Sequence, residues 1–135
     1  MIFIPKELKF IIFYKSLMIK LFIILVIIDL LYLKIIGYPL FSKVIKKITN
    51  EDINFNYIGL LSYFFIVYGL NYFIIKNKKS VLDAFILGLV IYGTYDFTNI
   101  GIFKNYDIYI GLIDTLWGGL LLSITTYIYY QLSAK

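Results

Sequence analysis

One polar stretch interrupts the third apolar segment of the chain: Tyr92-Gly93-Thr94-Tyr95-Asp96-Phe97-Thr98-Asn99. A later apolar segment contains Asp114, and an earlier one contains Asp29. A carboxylate near the centre of a membrane-spanning helix costs about 2.5–3.5 kcal/mol on insertion scales. These aspartates are therefore expected to face one another inside a bundle of helices and not the lipid.

The composition around this stretch is typical of a membrane protein. Of the 135 residues, 61% are hydrophobic, whereas soluble domains use about 45–50% apolar residues. The mean hydropathy is +0.87. A water-soluble fold could not bury this excess, so it is expected to face lipid. The length suits one integral membrane domain over residues 1–135.

Charge and missing residue types exclude several kinds of site. The chain has no histidine and no cysteine, which excludes disulfides and soft or borderline metal sites such as zinc centres. No resident metal or cofactor is predicted. The net charge of +5 is carried by lysines that flank apolar runs, so we expect contact with lipid headgroups and no nucleic-acid partner.

Four apolar segments approach the ~20 residues that a bilayer requires. They predict spans at about 17–37, 57–75, 81–101 and 108–130. Short loops between them predict an all-α, polytopic, up-down-up-down four-helix bundle. The lysine distribution favours both termini on the cytoplasmic side. Residues 1–16 form either an interfacial lead-in or an extra turn of the first span.

Local signals define the connections between the spans. Gly37-Tyr38-Pro39 is expected to end the first span. Leu40 to Thr49 has an apolar and a lysine-rich face, which predicts a short amphipathic helix on the membrane surface. Ser80 and Asp83 are typical of an N-cap and an acidic first turn.

Depth within the membrane relates the three aspartates. Asp29 lies past the middle of the first span, Asp96 near the exit of the third, and Asp114 shortly after the entry of the fourth. Because successive spans alternate in direction, all three are expected in the same half of the membrane. Lys34 is the one lysine expected at their level.

Helical spacing indicates which side chains share a face with these aspartates. On the third span the stripe is Gly88, Tyr92, Tyr95, Asp96 and Asn99, and on the fourth it is Gly111, Asp114 and Gly118, with Trp117 beside them. We therefore predict a ligand-binding set of Asp29, Tyr92, Tyr95, Asp96, Asn99, Asp114 and Trp117. No catalytic pattern of a hydrolase accompanies it.

Outside this set, polar and aromatic residues have ordinary structural interpretations. Asn71 in the second span is expected to form a helix–helix hydrogen bond. Several tyrosines are expected in the interfacial aromatic belt, namely Tyr57, Tyr106, Tyr109, Tyr127, Tyr129 and Tyr130.

The polar stretch, together with Lys104 and Asp114-Thr115-Leu116-Trp117-Gly118, resembles the signature of the domain-of-unknown-function 2177 family. Asp29 agrees in the first helix, as do Tyr63, Gly69 and Phe73 in the second, so the resemblance covers roughly residues 21–121. Tyr32 and Tyr106 stand where this family usually has tryptophan. The resemblance implies a small four-helix membrane protein and no particular reaction.

Three functional hypotheses follow from the sequence. Clustered carboxylates require neutralisation by a proton, Lys34, a hard cation or a cationic ligand. The first hypothesis is therefore a membrane protein that binds or moves a small ligand, proton or cation. If it transports, it is expected to act as a homo-oligomer. The second is a membrane-embedded enzyme acting on a lipid-like substrate. The third is a structural or assembly component of a membrane, in which the aspartates form an interhelical hydrogen-bond lock.

Overall fold

The computed structural model describes residues 2–135, and all secondary structure in this range is helical. The α-helices are α1 (Lys6–Tyr32), α2 (Tyr38–Thr49), α3 (Leu61–Leu70), α4 (Val81–Ile102) and α5 (Ile108–Ser133). A π-helical segment, Leu33–Gly37, joins α1 to α2. A 3-10 turn, Tyr57–Leu60, precedes α3, and a second π-helical segment, Asn71–Ile75, follows it.

Three helices are long and apolar enough to cross a membrane: Tyr57–Ile75, Val81–Ile102 and Ile108–Ser133. They match the second, third and fourth spans expected from the sequence, and the all-helical membrane bundle is confirmed. The first expected span is not among the three. It runs through the second half of α1 and the π-helical segment Leu33–Gly37; α1 carries Lys15, Lys20 and Asp29 and packs beside the other helices.

The polarity of the bundle is inverted relative to that of a soluble protein. Asp29, Asp96 and Asp114 are 6%, 0% and 6% exposed, whereas Phe65 is 78% exposed. Burying carboxyl groups while exposing aromatic rings is favourable only where lipid surrounds the helices.

Each long helix packs between two neighbours, in the order α1, α3, α4 and α5, with α5 closing on α1. The closest pair is α4 and α5, because glycines let their backbones approach: a Cβ at Gly88 would meet the backbone of Gly118 and Gly119. The pair α3 and α4 is packed least closely. Leucines from several helices fill the half of the bundle nearer the termini, among them Leu21, Leu25, Leu70, Leu121 and Leu122.

The expectation that Gly37-Tyr38-Pro39 ends the first helix is wrong. Gly37 has helical backbone angles (φ −63°, ψ −53°), and the chain continues into α2. Pro39 lies in the first turn of α2, where its missing N–H and fixed φ are tolerated. At its N-terminal end α1 begins at Lys6. From Lys6 onward the N-terminal residues therefore extend the first helix, which was one of the two expectations for residues 1–16.

Helix α2 has the expected amphipathic pattern. Its lysines Lys43, Lys46 and Lys47 are exposed. Its apolar face packs on protein: Val44 is 2% exposed and clusters with Tyr106 and Ile110. This helix therefore covers the end of the bundle at which α4 turns into α5.

The basic turn before α4 has the N-cap that the sequence predicts. The Ser80 hydroxyl accepts a hydrogen bond from the Asp83 N–H (3.0 Å), and the Asp83 carboxylate accepts one from the Ser80 N–H (3.0 Å). This reciprocal capping box confirms the predicted start of the third span.

Candidate functional site

Asp29 ties three helices together through its side chain. One carboxylate oxygen accepts a hydrogen bond from the Tyr63 hydroxyl of α3 (2.5 Å), and the other accepts one from the Trp117 indole N–H of α5 (2.8 Å). One turn further along α1, the Tyr32 ring stacks on Trp117 with centroids 4.3 Å apart and planes 8° apart. Both oxygens of Asp29 are therefore partnered by residues that are themselves held in place.

Asp96 is the most deeply buried of the three aspartates, at 0% exposure. Its oxygens accept hydrogen bonds from the Tyr106 hydroxyl (3.2 Å) and the Thr115 hydroxyl (3.1 Å). Tyr106 lies in the loop between α4 and α5, where burial, followed by the nearby Asp96 charge, raises the pKa of its phenol. The phenol thus keeps its proton and remains a donor at neutral pH.

Asp114 has different surroundings. Its carboxyl group contacts that of Asp96. Within residues 2–135, no other side chain donates a hydrogen bond of good distance and angle to Asp114. The Tyr32 hydroxyl faces Asp114, yet it is buried without a hydrogen-bond partner in the described chain. An underused carboxyl and an unpartnered hydroxyl therefore lie side by side.

The three carboxyl groups form two neighbouring assemblies. Asp114 and Trp117 are three residues apart on α5, which corresponds to about 4.5 Å along the helix axis. The Asp29 assembly and the Asp96–Asp114 pair consequently occupy adjacent levels of the bundle. Across residues 2–135 no set of three or more acidic side chains is arranged to hold a metal ion.

A crevice between α3 and α4 leads to Asp114. Its volume is about 450 Å³, and its lining consists of Ser62, Phe65, Ile66, Ile91, Tyr92, Tyr95 and Asp114. The crevice lies along the least closely packed pair of helices. Tyr95 is 59% exposed and borders this opening, so it does not face the bundle interior. Asp114 is the aspartate of the three that the crevice reaches.

Within residues 2–135, neither Asn99 nor Lys34 forms a hydrogen bond or salt bridge with the aspartates. Asn99 is half-buried. Lys34 is exposed, and the one salt bridge in the described chain joins the exposed pair Lys46 and Asp52 (3.4 Å). Lys34 therefore forms no salt bridge with the aspartates within residues 2–135.

Several partners of the aspartates were not singled out as site residues. Thr115 and Tyr106 both donate to Asp96. Of the tyrosines expected in the interfacial belt, Tyr106 and Tyr129 are 8% and 9% exposed, so their rings pack mainly on protein. The short loop after Asp96 was the available signal for Tyr106, since it returns the chain to the level of that carboxylate. The expected hydrogen bond of Asn71 is confirmed, with Tyr14 of α1 as acceptor (3.2 Å).

Comparison with known proteins supports the same class. A family model described as predicted membrane protein (DUF2177) matches residues 13–131, which include most of each long helix and every aspartate discussed above. No curated protein and no solved structure matches the chain. Because the family model covers most of its length, the chain belongs to the DUF2177 family of predicted membrane proteins.

Proposed function

We propose that this membrane protein binds a small amphiphilic ligand at Asp114, and that the ligand enters from the bilayer through the crevice between α3 and α4. The polar end of the ligand carries a cationic or hydrogen-bond-donating group. Asp96 and the Tyr32 hydroxyl flank that group, and Tyr92 and Tyr95 border its path.

The observation that carries this proposal is the difference in hydrogen bonding among the three aspartates. Asp29 and Asp96 each accept two hydrogen bonds, one on each oxygen, which satisfies them as structural groups. Asp114 has the contact with Asp96 and the nearby Tyr32 hydroxyl, which is too poorly oriented to count as a full hydrogen bond. The crevice reaches Asp114, and the buried Tyr32 hydroxyl beside it has no full hydrogen bond. A ligand that donates to Asp114 would supply hydrogen bonds that the protein itself does not.

The walls of the crevice indicate the kind of ligand. Phe65, Ile66 and Ile91 are apolar, and the polar lining residues are few: Ser62, Tyr92, Tyr95 and, as the one carboxyl group, Asp114. Sites for small molecules have this combination of apolar walls and few polar anchors. The crevice opens sideways between α3 and α4. This position favours an amphiphile, which partitions into lipid, and not an ion, which would arrive from water.

Dodecylammonium, with dodecanol as the uncharged comparison, tests the proposal. We expect dodecylammonium to raise the thermal unfolding midpoint of the detergent-solubilised wild type more than dodecanol does. Asp114→Asn should lose this difference, because the amide removes the negative charge. Asp52→Asn removes a carboxylate that is exposed outside the bundle and should retain it. Equal responses of wild type and Asp114→Asn would exclude Asp114 as the binding group.

A second candidate function is a membrane-embedded enzyme acting on a lipid-like substrate. The observation that favours it is the presence of Ser62 and Asp114 in the same crevice, a hydroxyl and a carboxyl that an entering substrate could contact together. Incubation with total lipid extract, followed by mass spectrometry, would detect turnover that Asp114→Asn abolishes. Unchanged lipid species would leave binding as the function.

We also propose an orientation with both termini in the cytoplasm. On that side would lie Lys6, Lys9, Lys15, Lys20, Lys76, Lys78, Lys79 and Lys135, and on the other Lys34, Lys43, Lys46, Lys47 and Lys104. The excess of lysine follows the positive-inside rule. The aspartates would then occupy the outer half of the membrane. Transport, as opposed to binding, would require a homo-oligomer, because four helices enclose little volume.

A further inference from the structure

A second cavity lies at the opposite end of the bundle from the aspartates. It has a volume of about 680 Å³ and lies between the start of α1, the end of α5 and the turn after Ile75. Its walls are mainly apolar and aromatic, with Phe10, Phe13 and Leu17 on the α1 side and Tyr129 and Tyr130 on the α5 side. Two cations, Lys76 and Lys78, complete the lining.

The turn that carries these lysines has an unusual backbone. Lys78 has φ of +51°, the left-handed region that favours glycine. The Lys79 N–H bonds to the Ile74 carbonyl (2.9 Å), and the Lys78 N–H bonds to the Ile75 carbonyl (3.0 Å). These two bonds are those of a Schellman motif, whose left-handed position is usually glycine. A lysine at that position keeps a strained backbone and directs a charged side chain to the cavity.

The helix before this turn is adapted to the cavity as well. Residues Asn71–Ile75 are π-helical, a local widening that is frequent at functional sites. Asn71 is 2% exposed, and its side-chain amide donates to the Tyr14 hydroxyl (3.2 Å). This bond holds the first turns of α1 beside the cavity.

We propose that this cavity binds one phospholipid with an anionic headgroup. The phosphate lies at Lys76 and Lys78, and an acyl chain lies along Phe10, Phe13 and Leu17. Charge complementarity selects the headgroup, since juxtamembrane lysines attract anionic lipid. The cavity lies where the second span ends, at Ile75, which is the level at which a headgroup meets its acyl chains. This binding is independent of the ligand proposed for Asp114.

Lipid retention measured by native mass spectrometry tests the inference. The probes are phosphatidylglycerol and phosphatidylcholine with identical acyl chains, added to the protein in detergent. Wild type is expected to prefer phosphatidylglycerol. Each lysine should contribute about fivefold to this preference, so Lys76→Gln and Lys78→Gly should each reduce it about fivefold. Lys78→Gly also relieves the backbone strain, so its loss of binding could not be attributed to a damaged turn.

Lys79→Gln is the matched control. It removes a charge from the same turn, but Lys79 does not line the cavity, so the preference should change by less than twofold. Glycerol 3-phosphate, which has the phosphate but no acyl chain, should not displace the bound lipid. The inference is overturned if wild type does not prefer phosphatidylglycerol, if Lys79→Gln loses as much preference as Lys78→Gly, or if glycerol 3-phosphate competes.

Discussion

Three aspartates of the same chemical type have separate roles because their neighbours differ. Asp29 and Asp96 each receive two donors, so they behave as fixed acceptors that connect helices. Asp114 contacts another carboxyl group and borders a crevice. Two adjacent carboxyl groups cannot both be charged without strong repulsion, whereas one shared proton converts the repulsion into a hydrogen bond. The pair is therefore the part of the site that a ligand or proton can influence.

The contribution of the hydrogen bond from Tyr63 to Asp29 can be tested by a substitution that keeps the shape of the aromatic ring. Tyr63→Phe removes only the hydroxyl and leaves one oxygen of a buried carboxyl group without its donor. We expect a loss of about 1 kcal/mol in the free energy of unfolding, measured by reversible SDS denaturation in mixed micelles. Tyr68→Phe is the control on the same helix, since Tyr68 is 55% exposed. Equal stability of the two variants would contradict a structural role for this bond.

At the scale of elements, the seam between α4 and α5 holds the Asp96–Asp114 pair together. Each aspartate lies on one of these helices, and the glycines at the seam remove the side chains that would separate them. A Cβ at Gly111 would come within 2.8 Å of Ile100 Cδ1 on α4, so this glycine also lets α5 approach α4 one turn beyond Asp96. Position along each helix, and not the loop between them, therefore sets the geometry of the pair.

Replacement of one seam glycine tests this close approach. In Gly88→Ala the new Cβ would overlap backbone atoms of Gly118 and Gly119, which cannot move aside as a side chain can. We expect overpacking to cost about 1–3 kcal/mol, visible as a lower thermal unfolding midpoint in detergent. Gly69→Ala is the matched control, because no heavy atom lies within 4 Å of its new Cβ and alanine favours the helix by about 1 kcal/mol. If Gly88→Ala were as stable as Gly69→Ala, the two helices would be further apart than described.

At the scale of the whole molecule, the bundle divides into two chemically different halves. The half near the loop between α4 and α5 contains the carboxyl groups, and the half near the termini contains the leucine core and the lysine-lined cavity. This division follows from the alternating direction of the helices. It relates each proposed site to one leaflet of the membrane.

The absence of cysteine allows the topology to be measured with single cysteine variants. A membrane-impermeant maleimide applied to intact cells should label Asp52→Cys and Asn105→Cys. It should label Lys79→Cys and Ala134→Cys only after permeabilisation, because an even number of spans separates them from each other. Ile2→Cys should behave like Lys79→Cys if α1 crosses the membrane. Labelling of Ile2→Cys from outside would mean that α1 does not cross.

Much of the architecture could be predicted from the sequence because the relevant signals are local. Apolar length identified three of the spans, the Ser80–Asp83 pair marked the start of α4, and two-faced periodicity identified α2. The end of the first helix was predicted wrongly at Gly37-Tyr38-Pro39. Glycine and proline disfavour a regular helix, but here Gly37 lies in a π-helical segment and Pro39 in the first turn of α2, where its missing N–H is tolerated.

The sequence by itself determined that acidic side chains from three helices lie in one half of a membrane bundle, since depth follows from counting residues along spans of known rise. Only the tertiary structure decided their partners. Tyr63 and Trp117 bond to Asp29, and Tyr106 and Thr115 bond to Asp96, because the rotation and neighbour order of the helices bring these groups within hydrogen-bond distance. Periodicity along a single helix gives neither the rotation of that helix nor the order of its neighbours. The difference in hydrogen bonding between Asp96 and Asp114 therefore could not be predicted from the sequence.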